Sequence, residues 1–255
     1  MHPKIIEIIG PPGIGKTSIY ESLCDNWEPS SNWIYPEALL APEKPSIIEF
    51  NDFILHYGRK FLRKKPSKRL PPDFGLRFAA NHPELASFFW NLLSDTRVYN
   101  HQEIDKRFRA AYFLFCDFCR YQAILESDCP KPCLVNEGLL QKSFFIHDDD
   151  VYVSEVISTY LTLLPLPRAI LFIDTENRNT IYNRLRGRKK VIASHLGKDD
   201  GELLVDIGRW QSLLHILVEQ ARTYNVFVAK IDGEKPINEN MHFINHLLNS
   251  LKPSP

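Results

Sequence analysis

Eight residues near the amino terminus, GPPGIGKT from Gly10 to Thr17, have the types and spacing of a phosphate cradle. Gly10, Gly15, Lys16 and Thr17 occupy the fixed places of G-x-x-x-x-G-K-[ST]. Glycines let the backbone turn so that successive N–H groups converge on an anion. A helix beginning at Gly15–Lys16 would aim its positive end at the same charge. The Lys16 ammonium would reach the terminal phosphates, and the Thr17 hydroxyl would take one place on Mg²⁺. Pro12, Gly13, Ile14, Gly15, Lys16, Thr17 and Ser18 are therefore the candidate phosphate-binding residues. A chance match in a chain of ordinary composition comes about once in a hundred. A plain Gly-Pro turn between strand and helix has no need of Lys-Thr.

Such a cradle needs a strand before it and a helix after it. KIIEII is a short Ile-rich run suited to a buried parallel strand, and KTSIYESLCDNW carries Ile19 and Leu23 at helical spacing. NWIYPEAL holds a candidate second strand. From Ser46 to Ser127 the pattern is mostly helical, with pieces at 47–62, 83–93 and 102–126, the first broken from the second by the loop KKPSKRLPPD. CLVNE, RAILFID and VFVAKID read as strands; DVYVSEVISTYLTLL, ENRNTIYNRLRGR, DIGRWQSLLHILVEQARTY and NENMHFINHLLNSL read as helices. Strands alternating with helices predict an α/β fold with a parallel sheet covered on both faces.

The chain has 255 residues, 44% of them hydrophobic, with 31 basic and 31 acidic side chains. That suits one α/β domain with an insertion, and a zero formal charge demands neither nucleic acid nor an anionic membrane. No apolar run approaches the ~18 residues of a membrane span, and MHPKIIEIIGPPG lacks the form of a secretory signal. The expectation is a soluble, cytoplasmic protein. The five cysteines do not suggest a disulfide framework. Cys116, Cys119, Cys129 and Cys133 could be four soft zinc ligands, or small hydrophobes of an aromatic helix and a buried strand; a ligand pair inside a regular helix favours the second.

With the P-loop, three later stretches make the chain similar to the P-loop small-molecule kinases of the nucleoside and thymidylate kinase type. These are PCLVNEGLLQ, LPLPRAILFIDTENRNTIYNRLRGRKK and VFVAKIDGEKPINEN. The resemblance implies a three-layer P-loop NTPase fold with a large helical insertion (46–127) and a lid (187–204), and ATP and Mg²⁺ as cofactors. It implies that Glu137 orders the metal or accepts a proton from the acceptor, and that Arg184 and Arg188, four apart on one helix face, neutralise the moving phosphoryl group. It implies that the loop Asp232–Pro236 passes the adenine, and that the helical insertion walls the acceptor pocket, with Arg109, Arg120 and Gln122 as its candidate polar residues. The family carries an Asp or Glu-Arg pair where this chain has Asn136-Glu137-Gly138. That departure keeps a sugar or other polyol open as acceptor beside nucleosides and nucleotides.

Three features admit plainer readings. Asp174 at a strand end is expected to be structural, or to contribute to the metal site. The basic stretch from Arg59 to Arg69 suits a solvated helix end, and a nucleic-acid partner is not expected. His147–Asp150 suits a helix cap. The rival to a kinase acting on a small-molecule acceptor is a regulatory P-loop ATPase or switch that binds a protein or RNA partner through the basic stretch.

Overall fold

The computed structural model describes residues 2–41, 70–95, 104–146, 152–188 and 198–251. The predicted piece at 47–62, the basic stretch, His147–Asp150 and residues 189–197 of the expected lid lie outside them.

Among the described residues, four parallel strands form a sheet in the order β2-β1-β3-β4: β1 (His2–Ile9), β2 (Cys133–Asn136), β3 (Pro167–Asp174) and β4 (Phe227–Asp232). β1 is hydrogen-bonded on both sides, Ile6 pairing with Leu134 and Ala169. A central strand covered on both faces favours an apolar run without alternation, and Ile5, Ile6, Ile8 and Ile9 are all fully buried. The expected strand in NWIYPEAL reduces to one bridge, Ile34 with Cys133, at the outer edge of β2. Pro36 ends the pairing there and opens a single helical turn, α2 (Pro36–Leu39).

The alternating pleat divides the core in two. Ile6, Ile8, Leu134, Leu171 and Ile173 face α1 (Lys16–Asp25), α7 (Arg178–Arg186) and α9 (Ile237–Ser250). Ile5, Ile9, Val135, Ile170 and Phe172 face α3 (Pro72–Asn81), α4 (Pro83–Ser94), α5 (Ile104–Leu125) and α6 (Val153–Leu163). The long α8 (Asp200–Thr223) contributes to both clusters. The fold is thus a three-layer α/β arrangement with the phosphate-loop sequence at the carboxyl end of its central strand. Fully burying each such aliphatic side chain is worth about 1.5–3 kcal/mol, so the sheet is the rigid member on which the loops are hung.

α8 begins inside the expected lid, through a capping box in which the Asp199 side chain accepts from the Glu202 amide and the Glu202 side chain from that of Asp199. α3 was not foreseen as a separate helix. Its Gly75 argues against a helix locally, yet a Cβ there would lie 2.7 Å from the Phe115 ring and 2.8 Å from the Cys119 sulfur. The glycine is a close-packing contact between α3 and α5. Cys116 is exposed and Cys119 buried on α5, and none of the five cysteines is in a disulfide.

Among the described residues, no helix is long and apolar enough to cross a membrane.

Candidate active site

Gly10 leaves β1 against the neighbouring strand: a Cβ would fall 2.3 Å from the Ile173 carbonyl oxygen. Gly13 and Gly15 adopt φ of 90° and 107°, the left-handed region that glycine enters without steric cost. Between them Ile14 is buried and anchors the loop in the core. α1 starts at Lys16 with Gly15 as its N-cap and no side-chain capping bond, which leaves the first-turn amides available to an anion. Thr17 and Ser18 are exposed at that helix start, and Pro12 is half-buried.

Lys16 is buried with its ammonium turned back on the loop. Nζ donates to the Gly10 carbonyl at 2.7 Å and the Pro11 carbonyl at 3.0 Å, and pairs with Glu137 Oε1 at 3.2 Å. Burial pushes the lysine below its ordinary range; Glu137 pulls it back up, and the Arg188 charge adds to the lowering. The ammonium is thus a desolvated donor held by partners that a phosphate oxygen can replace.

Glu137 follows β2 at φ 54°, a left-handed conformation that costs a non-glycine residue on the order of 1 kcal/mol. Its amide still donates to the Ile8 carbonyl at 3.2 Å, so the backbone is tied to β1 while the half-exposed side chain turns to Lys16. Gly138 has no room for a side chain: a Cβ would lie 2.2 Å from Tyr121 Oη and 2.8 Å from Glu7 Cδ. A short 3₁₀ turn, Leu140–Phe145, follows.

Beneath this turn lies Glu7 of β1, wholly buried. Its carboxylate accepts from Tyr121 Oη at 2.8 Å, the Leu140 amide at 3.2 Å and the Gln141 amide at 3.0 Å. Burial raises its pKa from 4.5 to about 7, against the lowering effect of those three bonds and of the Arg120 charge. Between pH 4.5 and 7 the folded protein therefore holds a proton that the unfolded chain has released. Stability should fall as pH rises through that window and level off above it. At 1.36 kcal/mol per unit, this group makes the protein up to about 3 kcal/mol more stable at pH 4.5 than above pH 7. Denaturant unfolding of Glu7→Gln should show that slope removed; an unchanged slope would assign it elsewhere.

Arg184 Nη1 donates to the Ile14 carbonyl and to the Gly233 carbonyl, each at 2.8 Å. One guanidinium thus joins α7, the phosphate loop and the β4–α9 loop. That last loop packs on the first, since a Cβ at Gly233 would meet Ile14 Cδ1 at 2.4 Å. Arg184→Ala orphans both carbonyls. It should lower stability by about 2 kcal/mol in denaturant unfolding and weaken Mg·ATP binding roughly tenfold by calorimetry. α7 ends at Arg186, so Arg188 lies beyond the helix that was expected to carry both arginines, although its charge is felt at Lys16. Arg186 points elsewhere and pairs with Asp200.

The three candidate acceptor residues are not brought together. Arg120 meets Asp117 at 2.5 Å, and Asp117 also holds Lys142 at 2.8 Å. Burial opposes the Arg120 charge most strongly, but Asp117, Tyr121, Tyr20 and Glu7 together outweigh it and hold the guanidinium above its ordinary range. Gln122 donates instead to Glu126, which Arg77 grips with two bonds at 2.9 and 2.8 Å. Arg109 is exposed on the first half of α5. Asp174 accepts from Gln211 Nε2 at 2.9 Å and lies 2.7 Å from His215 Nε2, so both its oxygens are engaged by α8. The loop after β4 is fixed by Gly233 N donating to the Asp174 carbonyl at 2.7 Å and Glu234 N to Asp232 Oδ1 at 2.8 Å.

Among the described residues no group of three or more His, Cys, Asp or Glu could hold a metal ion. Mg²⁺ beside a nucleotide needs no such cluster. It is held by one or two protein oxygens together with phosphate oxygens and water. The exposed Thr17 hydroxyl at the start of α1 and the solvent-facing Glu137 carboxylate beside Lys16 fit that donor set.

No protein-family model matches the chain. No curated protein matches its sequence. Solved structures do match over most of its length. A shikimate kinase from Bacteroides thetaiotaomicron is 13% identical, covers 95% of this chain and 97% of its own, and superposes with a TM-score of 0.40. A deoxyadenosine kinase from M. mycoides with bound dATP is 14% identical over 96% of this chain and 100% of its own, TM-score 0.44. The same kinase with products dCMP and a flexible dCDP is 15% identical over 96% and 98%, TM-score 0.40.

Proposed function

We propose that this protein is an ATP-dependent phosphotransferase that moves the γ-phosphoryl group to a hydroxyl or phosphate of a small molecule, a nucleoside, nucleotide or sugar. The observation that carries the reading is the buried Lys16 ammonium, held 3.2 Å from Glu137 at the mouth of an uncapped helix. The loop amides from Gly13 to Ser18 cradle the phosphates, and Lys16 exchanges its two carbonyl partners for phosphate oxygens. Mg²⁺, held by Thr17 and through water by Glu137, would neutralise charge on the phosphates when bound. The acceptor oxygen forms a bond to the γ-phosphorus while the bond to the β,γ-bridging oxygen breaks, and its electron pair leaves with ADP. Where the acceptor is a hydroxyl, its proton goes to the Glu137 carboxylate. Arg188, with Arg184 holding the loop, supplies positive charge as the phosphoryl group transfers. Of the three acceptor-side candidates we retain Arg120, whose guanidinium is held by Asp117 on α5.

γ-labelled ATP incubated with a panel of nucleosides, nucleotides and sugars tests this. Label appearing in one acceptor class is the expected result. Release of inorganic phosphate alone, quickened by a protein or RNA partner, would replace the kinase with the switch.

A further inference from the structure

One side chain that neither motif nor spacing singled out touches the phosphate loop from behind. Gln141, buried in the 3₁₀ turn, forms a two-bond pair with the Gly10 peptide: the Gly10 amide donates to Oε1 at 3.0 Å, and Nε2 donates to the Gly10 carbonyl at 3.0 Å. That carbonyl is also the nearest partner of the Lys16 ammonium, at 2.7 Å. When Lys16 moves to a phosphate, it abandons a buried acceptor. An acceptor left unpaired would draw the ammonium back and let the peptide plane rotate. The glutamine removes both problems, because Gly10 stays bonded on both sides after the lysine departs.

The glutamine is itself immobilised. Glu7 accepts from its backbone amide and from that of Leu140. Tyr121 Oη, which donates to Glu7, accepts from the Leu139 amide at 2.9 Å, and Tyr160 Oη donates to the Leu139 carbonyl. Three consecutive residues are thus fixed by groups from β1, α5 and α6. The same turn carries Glu137 at its entrance. We propose that Gln141 is a positioning residue of the phosphate site, a clamp that holds the Gly10 peptide in its binding geometry whether Lys16 rests on the loop or on a nucleotide, with Glu7 as its footing. The proposal rests on the reading of the loop as an ATP site and goes beyond it in naming what keeps the loop in shape.

The full-length protein and two variants test the clamp by calorimetric titration with Mg·ATP. Gln141→Leu removes both bonds at similar volume and should raise Kd at least tenfold. Gln141→Glu keeps an acceptor for the Gly10 amide and loses the donor to the carbonyl. Its affinity should be weak at pH 8 and recover several-fold at pH 5, where the protonated carboxyl again offers an O–H. The groups facing position 141 that titrate or carry charge are Lys16 on α1, Glu7 on β1, Arg120 and Tyr121 on α5, Tyr160 on α6 and Glu137 on the turn. All are present in Gln141→Leu, whose own pH dependence subtracts them. Leucine binding as tightly as glutamine, or a glutamate variant without acid recovery, would overturn the proposal. Hydrogen exchange at the Gly10 amide of the unaltered protein serves if a variant does not fold: protection should persist on saturation with Mg·ADP, and its loss would equally overturn the clamp. Failure of the unaltered protein to bind either nucleotide would instead remove the ATP-site reading on which the clamp stands.

Discussion

Lys16→Met is expected to lower the phosphotransfer rate by about 10²–10³ or more, the usual cost of removing one preorganised donor from developing negative charge. The stability of the unliganded protein should move by less than about 1 kcal/mol. The contrast follows from the resting geometry. Lys16 is buried, and burial already works against its charge, so an unbranched apolar side chain of similar length regains in desolvation much of what it loses in bonds. Its partner Glu137 reaches solvent and is not stranded, and the Gly10 carbonyl keeps Gln141. With phosphates bound, nothing replaces the ammonium. Single-turnover kinetics with labelled ATP, beside denaturant unfolding without nucleotide, measure the two sides. A rate within threefold of the unaltered protein would contradict the role given to Lys16.

Glu137→Gln should lower kcat by about 10²–10⁴ if the carboxylate takes the acceptor's proton, with KM for ATP little changed. If the carboxylate instead orders Mg²⁺, the loss should shrink as Mg²⁺ is raised into the millimolar range. A kcat within threefold of the unaltered protein at all Mg²⁺ concentrations would exclude both roles. The backbone adds a second readout. Because residue 137 stands at φ 54°, Glu137→Gly should be up to about 1 kcal/mol more stable than Glu137→Ala, both variants lacking the carboxylate that faces Lys16 and both losing turnover as Glu137→Gln does. A residue that strains the chain and whose removal costs activity is the pattern of a site maintained for chemistry.

The strand, glycine turns and helix start around Gly10–Thr17 were legible in the sequence because the motif's residues must sit at fixed intervals in a contiguous stretch. β1 and β3 were legible because strands buried on both faces become nearly continuous apolar runs, whereas β4, at the sheet edge with Phe227, Lys230 and Asp232 exposed, was legible as a short apolar stretch between two helices. The second strand was over-read, since Ile34 pairs at one position before Pro36 turns the chain. α3 was missed because Gly75 is there for the Phe115 ring, a contact that local propensity does not contain. Glu7 passed as a polar interruption in KIIEII, and only the pleat shows that it points into the core beneath the Glu137 turn. Gln141 lies 131 residues from the glycine it holds, in a turn with no hydrophobic period to announce it. Arg184 stood out by its spacing, but its partners are two backbone carbonyls, which sequence does not identify. Arg120 and Gln122 looked equivalent on paper, and helix phase sends one toward Asp117 and the other toward Glu126.

The central claim is that the loop from Gly10 to Thr17 takes the phosphates of a nucleotide through Lys16. Titrating Mg·ATP into the unaltered protein and into Lys16→Met tests it most directly. Saturable one-to-one binding to the first, weakened at least tenfold in the second, is the predicted result. No binding to the unaltered protein, or equal affinity in both, would contradict it.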